Sequence, residues 1–118
     1  MACEEGPTEE VYAVARVVWS EARNQPEIGQ RMIVQVIRNR AEKYNESILE
    51  TVTHGMVSKG RLDPKIVGLV EDEMGGDVCC HFKFWINFER ATDGRQIKLA
   101  RQSESLNTGL QISDHFFY

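Results

Sequence analysis

An apolar stripe in the first quarter of the chain constrains the fold most. Its members recur three or four positions apart and are Val11, Val14, Ala15, Val18 and Ala22. This spacing places the side chains on one face of an α-helix, because the helix repeats every ~3.6 residues. Thr8 is suited to cap such a helix, and two glutamates suit its first turn. The pattern predicts a helix over residues 9–23 with one face in a core.

Three further helices are predicted, over residues 26–43, 45–53 and 64–74. Two of them begin at a proline, which suits the first helical turn, and Asp63 is suited to cap the last one. A loop with two glycines, 54–62, separates the third helix from the fourth. The helix over 26–43 has one predicted apolar face, formed by Ile28, Met32, Ile33, Val36 and Ile37.

The pattern changes after residue 80. HFKFWINF, residues 81–88, is aromatic and roughly alternating, which is typical of a half-buried strand. Residues 94–102 and 109–117 also suit short extended segments. Helices first and extended segments last predict an α+β domain. A chain of 118 residues has the size of one domain, so we expect a domain over 9–118 after a flexible arm, 1–8.

Charge and hydropathy argue against nucleic-acid binding, a membrane span and an export signal. The net charge of −4 argues against nucleic-acid binding, which needs a basic face. No apolar run approaches the length of a membrane span. The first ten residues, MACEEGPTEE, are acidic where a signal peptide would be basic and then apolar. We therefore expect synthesis in the cytoplasm without an export signal.

Four metal-ligating side chains, Cys79, Cys80, His81 and His54, raise the question of a zinc site. Paired zinc-binding cysteines usually have two or more residues between them, and these two have none. Thiols in a reducing compartment are the favoured interpretation. The sequence predicts neither a metal nor a cofactor.

Glu21 is the first candidate for chemistry. It follows Val14 by seven positions and Val18 by three, so it lies on or beside the apolar stripe. Desolvation there would raise the pKa of Glu21, and the negative end of the helix dipole acts in the same direction. Cleavage of a glycosidic bond requires an acid that is protonated near neutral pH. An ion pair with Arg16, Arg23 or another cation at the surface is the alternative, and spacing alone leaves both open.

The stretch VARVVWSEARNQPEIGQRMIVQVIRNR, residues 14–40, resembles the SleB-like cell-wall hydrolases, the family of spore-cortex-lytic enzymes and related phage proteins. Residues 21–23, 27–30 and 39–40 look like the family's E-A-R, E-x-G-Q and N-R motifs. Residues 84–87 resemble its aromatic strand with an asparagine. The last four residues, His115 to Tyr118, resemble its closing H-x-F segment, so the similarity extends over most of the chain.

The resemblance implies a lysozyme-like domain that acts on peptidoglycan glycan strands. Carried over, Glu21 is the single general acid and base of a lytic transglycosylase. Such enzymes break the bond between N-acetylmuramic acid and N-acetylglucosamine, with the 6-hydroxyl of the muramic acid in place of water. An intramolecular nucleophile has a high effective concentration, so no second carboxylate is needed.

Four further residues are candidates for substrate binding, each with a structural alternative. Trp85 is suited to stacking on a sugar ring and Asn87 to binding an acetamido group, although aromatic strands also supply core residues. His115 is a candidate to orient Glu21 or to bind substrate, or it is a buried structural histidine. Arg23 supports the carboxylate or caps the helix.

Several features depart from the family pattern. Asn24 and Gln25 stand where the family usually has glycine and then often glutamate, and Ser113 stands where it has glycine. The chain is shortened around 54–64 and lacks the glutamine–phenylalanine segment of the family's middle loop, which normally helps to line the cleft. Asparagine tolerates a left-handed backbone, so we expect the turn at Asn24 to be kept. A divergent, phage-type member would act on the bacterial cell wall, with virion or lysis-system partners such as a holin. The alternative is a peptidoglycan-binding or structural virion protein that keeps the fold without turnover.

Overall fold

The computed structural model describes residues 7–56 and 59–118, which form five helices and three short strands. The helices are α1 (Glu9–Ala22), α2 (Glu27–Tyr44), α3 (Ile48–Thr53), α4 (Pro64–Gly75) and α5 (Gly94–Ser105). The strands are β1 (Trp85–Ile86), β2 (Leu110–Ile112) and β3 (His115–Phe117). The predicted α+β class is confirmed, with four helices before the first strand and a small antiparallel sheet.

Helix α1 lies in the larger of two apolar clusters. Its predicted buried face is confirmed, and Val17 is buried as well. The buried residues are Val11, Val14, Ala15, Val17, Val18 and Ala22. Thr8 accepts a hydrogen bond from the amide of Val11 at 3.2 Å, as expected of the cap. Helices α2, α3 and α4 pack against α1. This packing fixes the last turn of α1, which carries Glu21.

Helix α2 begins at Glu27, with Pro26 at the cap position rather than at the first helical position. The prediction of a buried Ile28 is wrong, because this side chain is 63% exposed. With about 100° between successive residues, Ile28 lies about 140° from Ile33 around the helix. Val34 lies about 100° from Ile33 and is fully buried. The buried arc therefore includes Val34 and excludes Ile28.

The three strands form one sheet in the order β1-β3-β2. Neighbouring residues of a strand face opposite sides of the sheet. Accordingly, Phe117 packs in the helical cluster, while Phe116 packs against Ile86 and Ala100 of a second, smaller cluster. By the same alternation His115 lies on the side of Phe117, which is the side of the helices.

The prediction that residues 94–102 are extended is wrong, since they belong to α5. The oxygen Oδ1 of Asp93 accepts hydrogen bonds from the amides of Arg95 and Gln96, at 2.9 and 3.2 Å. Asp93 thus caps the start of α5. Ala100 anchors the helix on the sheet, where it is fully buried.

The predicted strand over 81–88 is much shorter, and only Trp85–Ile86 forms a regular ladder. Before it, the side-chain amide of Asn39 donates to the main-chain oxygens of Cys80 and Phe82, both at 2.9 Å. These bonds hold residues 80–82 against α2. Phe84 exchanges main-chain hydrogen bonds with Tyr118, at 2.9 and 3.0 Å, beside the ladder. The extended prediction for 109–117 is confirmed by β2 and β3.

The turn after α1 differs from the expectation for Asn24. Arg23, the cap residue after the end of α1, is in the right-handed region, and the amide of Gln25 donates to the carbonyl of Ala22 at 3.0 Å. Asn24 does not take the left-handed conformation. The described non-glycine residues with positive φ are Asn45, Asn107 and Ser113. Ser113 does take the left-handed conformation that its glycine counterpart would favour, with φ of 51°.

Residues 1–6, most of the predicted arm, lie outside the described residues, as do Val57 and Ser58 of the predicted loop. Thr8 belongs to the helix as its cap. Within the described ranges, no helix combines the length and the apolar character needed to cross a membrane.

Candidate functional site

Two adjoining cavities lie where the end of α1 faces the sheet. The first, the Trp85 cavity, has a volume of about 260 Å³ and is lined from α1, α2, β1, α5 and β3. The second, the Asn24 cavity, has a volume of about 250 Å³ and borders the turn after α1. Both are lined by Glu21, Asn87, Arg90 and His115. We call the pair the Glu21 cleft.

Glu21 is half-buried on the last turn of α1. Within residues 7–56 and 59–118 its carboxylate forms no ion pair. Arg16 donates instead to the carbonyl of Gly60 at 3.1 Å. Arg23 donates to the carbonyl of Trp19 at 3.3 Å, and its guanidinium lies 4.3 Å from the centre of that indole ring. The alternative of a surface ion pair with Arg16 or Arg23 is therefore wrong.

His115 lies beside Glu21 and is only 3% exposed. Burial lowers the pKa of His115 below its ordinary value of 6.5, and Arg90 adds to this, while the negative charges of Glu21 and Asp114 oppose it. The main chain of Glu21 lies beside the ring, yet the buried Nδ1 atom has no hydrogen-bond partner among the described residues. A neutral imidazole with an unsatisfied nitrogen can bind or orient a polar group in the cleft.

All five predicted site residues line the Glu21 cleft. Trp85 is half-buried, packs partly on the helical cluster and borders the Trp85 cavity. Asn87 borders both cavities, and its side-chain oxygen accepts from the amide of Glu89 at 3.0 Å. Its side-chain nitrogen is therefore the group suited to a ligand. Arg23 is exposed at the edge of the Asn24 cavity.

Sequence reasoning missed four charged residues of the cleft. Arg40 lines the Trp85 cavity and Arg90 lines both cavities, while Glu89 and Asp114 line the Asn24 cavity. Arg40 lies in the N-R motif, which was a usable signal. Glu89 and Arg90 lie in the turn after β1, and Asp114 lies in the turn between β2 and β3, so no pattern within a short window places them beside Glu21.

Two polar residues of α2 hold the walls of the cleft. Gln30 donates to the carbonyl of Ala22 at 2.9 Å and so joins the start of α2 to the end of α1. The bonds of Asn39 go to the main-chain oxygens of Cys80 and Phe82. Asn39 thus positions the segment that leads into Trp85.

The residues considered for zinc do not come together. His54 contacts Glu46 at 2.7 Å, Cys79 is exposed, and Cys80 lies near Asn39. No group of three metal-ligating side chains is found in the described part of the chain.

The cleft offers the parts for acid–base chemistry on a polar ligand. Glu21 is the carboxylate among the residues that line the Trp85 cavity, whereas Glu89 and Asp114 join it in the Asn24 cavity. Comparison with protein-family models, with curated proteins and with solved structures gives no match to this chain. The similarity to SleB-like hydrolases therefore stays a prediction, and the function has to be inferred from the cleft.

Proposed function

We propose that this protein is a peptidoglycan lytic transglycosylase with Glu21 as its single general acid and base. One observation carries the proposal: Glu21 is half-buried, forms no ion pair with a described residue and lines both cavities beside the buried His115. The arrangement is lysozyme-like in our proposal, with the acid on a helix end that faces a small sheet across the cleft. The sequence resemblance supports the substrate class.

In the proposed reaction, Glu21 donates its proton to the oxygen between muramic acid and glucosamine. The bond from that oxygen to C1 of the muramic acid breaks, and the 6-hydroxyl oxygen of the same sugar bonds to C1. The hydroxyl proton passes to Glu21, which regenerates the acid. The products are a 1,6-anhydro end and a new free hydroxyl on the glucosamine.

Other cleft residues suit this reaction. The exposed part of Trp85 can stack on a sugar ring, and the side-chain nitrogen of Asn87 can donate to an acetamido oxygen. Burial lowers the pKa of His115, so its imidazole is uncharged near neutral pH and can exchange a hydrogen bond with the substrate. These side chains bind or orient the substrate, and Glu21 alone transfers a proton.

The nature of the products tests the proposal. Native protein is incubated with purified peptidoglycan, and the soluble products are identified by mass spectrometry. We expect 1,6-anhydro-muropeptides. Reducing-end sugars would indicate hydrolysis, which needs a second carboxylate to activate water or form a covalent intermediate. In that event Glu89→Gln or Asp114→Asn should abolish turnover, whereas single-acid chemistry tolerates both changes.

A polar, aromatic-lined cleft also suits binding without turnover, which is the second candidate function. Binding of native protein and of Glu21→Gln to cell-wall sacculi is compared by co-sedimentation. Equal binding with no soluble product from either protein would support a peptidoglycan-binding or structural virion protein. In either case the proposed place of action is the bacterial cell wall, reached with a lysis system or a virion.

A further inference from the structure

Arg40 is a half-buried cation without a counterion in the described part of the chain. It lies on α2 and lines the Trp85 cavity. Its Nε atom is buried and has no hydrogen-bond partner, and no described carboxylate comes within ion-pair distance. The ring of Phe84 lies 5.1 Å from its guanidinium. A desolvated, always-charged guanidinium is unfavourable unless an anion compensates it.

The electrostatic surroundings of Arg40 do not supply that anion. Burial lowers the pKa of Arg40, and the opposing influences come from Tyr44, Tyr118 and Glu46, in that order. Glu46 is already in contact with His54 at 2.7 Å. Burial raises the pKa of Tyr118 above its ordinary value of 10, so this phenol carries no negative charge near neutral pH.

A second unpaired arginine, Arg90, lines the same cavity. It is exposed and, within residues 7–56 and 59–118, makes no ion pair. By contrast, Arg31 and Arg101 on the outer surface each contact a carboxylate. Two guanidinium groups at one cavity, both without a carboxylate partner, form a cationic site open to a ligand.

We propose that Arg40 and Arg90 form a carboxylate-binding subsite in the Trp85 cavity. This inference rests on the proposed function, and it names the recognised group as a free carboxylate of the peptide stem that muramic acid carries. Planar guanidinium groups bind carboxylates with two parallel hydrogen bonds. Muramic acid would thereby be distinguished from glucosamine next to Glu21, which selects the bond that is broken.

The first test measures whether the subsite binds an anion at all. Thermal stability is recorded with increasing glutarate, a simple dicarboxylate, at constant ionic strength. We expect glutarate to raise the melting temperature of native protein and of Arg95→Gln, an exposed arginine that does not line the cleft. Arg90→Gln should lose most of the increase. Arg40→Lys, which keeps the charge and guards against misfolding, should retain part of it.

The second test connects the subsite to the glycan. Affinities of Glu21→Gln protein are compared for a disaccharide–peptide fragment of peptidoglycan and for the same fragment with its peptide carboxylates amidated. We expect the free carboxylates to strengthen binding on the order of tenfold. Adding Arg90→Gln should remove most of this preference, because it weakens binding of the fragment with free carboxylates more than binding of the amidated fragment.

The outcomes separate the two proposals. Equal affinity for both fragments would overturn the carboxylate subsite while the transglycosylase proposal stands. Binding of neither fragment, together with stabilisation by glutarate that Arg90→Gln abolishes, would support an anion site and overturn the peptidoglycan proposal. Absence of any glutarate effect on native protein, together with equal fragment affinities, would overturn the subsite entirely.

Discussion

Gln30 donates a hydrogen bond of 2.9 Å from its side-chain nitrogen to the main-chain oxygen of Ala22. Gln30 lies in the first turns of α2 and is 8% exposed, and Ala22 is the last residue of α1. Helix ends leave carbonyl groups without helical partners, so this bond satisfies one of them. Because Ala22 directly follows Glu21, the same bond fixes the position of the candidate acid.

Replacing Gln30 should therefore affect stability and activity together. Gln30→Met keeps the side-chain volume but cannot donate, so the carbonyl of Ala22 keeps only its bond from the amide of Gln25. The free energy of unfolding should fall by about 0.5–1.5 kcal/mol, the net contribution of one hydrogen bond. Chemical denaturation measures this loss. Gln35→Met on the same helix is the control for the substitution type, and a smaller activity loss from Gln30→Met than from Gln35→Met would contradict the positioning role.

Gly60 permits a close approach of the chain to α1. A Cβ atom there would overlap the main-chain oxygen of Arg16 and lie 2.8 Å from Oγ of Ser20. Gly60→Ala should thus lower the free energy of unfolding by about 1–3 kcal/mol. Gly68→Ala is the matched control, because a Cβ at that helical position meets no atom within 4 Å. Gly68→Ala should raise the free energy of unfolding by about 0.5–1 kcal/mol. Equal effects of Gly60→Ala and Gly68→Ala would refute the close packing of Gly60 against α1.

Ser113 has a left-handed backbone between β2 and β3, with φ of 51°. Glycine adopts this conformation without the steric cost that a side chain carries. Ser113→Gly should stabilise the protein by about 0.5–1 kcal/mol, after its larger entropy loss on folding is included. Ser113→Ala keeps the strain and should give no gain. Thermal denaturation of Ser113→Gly and Ser113→Ala tests the left-handed backbone at this position. Equal stabilisation by alanine and by glycine would contradict it.

His115 should make the fold sensitive to acid. Its pKa is lowered in the folded protein by burial, so between that value and 6.5 the unfolded chain binds more protons. The free energy of unfolding therefore falls as the pH decreases below about 6.5. Denaturation midpoints are measured from neutral to mildly acidic pH. The decrease should shrink in His115→Gln and persist in His54→Gln, which removes an exposed histidine. An unchanged decrease in His115→Gln would contradict this account.

Sequence patterns predicted the features that depend on neighbouring residues of the same element. The face of α1 and the caps at Thr8 and Asp63 followed from spacing and from side chains that bond nearby amides. Helix α5 also had such a signal, since Asp93 precedes Ile97 and Ala100, three positions apart. The extended interpretation of 94–102 overlooked that cap. Ile28 was misplaced because an apolar residue was assumed to be buried before its angle around α2 was considered.

The cleft was only partly predictable for a different reason. Glu21 and the other four predicted site residues lie on separate elements, and the sequence resemblance, rather than spacing, suggested that they act together. Arg90 and Asp114 join them through turns whose direction depends on how the sheet packs on the helices. No pattern within a short window encodes that packing. The contribution of Arg40 depends on which carboxylates are absent around it, which only the folded arrangement reveals.

The rate at which Glu21→Gln releases soluble products from peptidoglycan tests the central claim most directly. Glutamine preserves the shape of the side chain but cannot donate the proton, so the rate should fall on the order of 10²- to 10⁴-fold with folding and cell-wall binding retained. Glu9→Gln, at the exposed start of the same helix, should keep the native rate. Anhydro-muropeptides released equally fast by native protein and by Glu21→Gln would contradict the account.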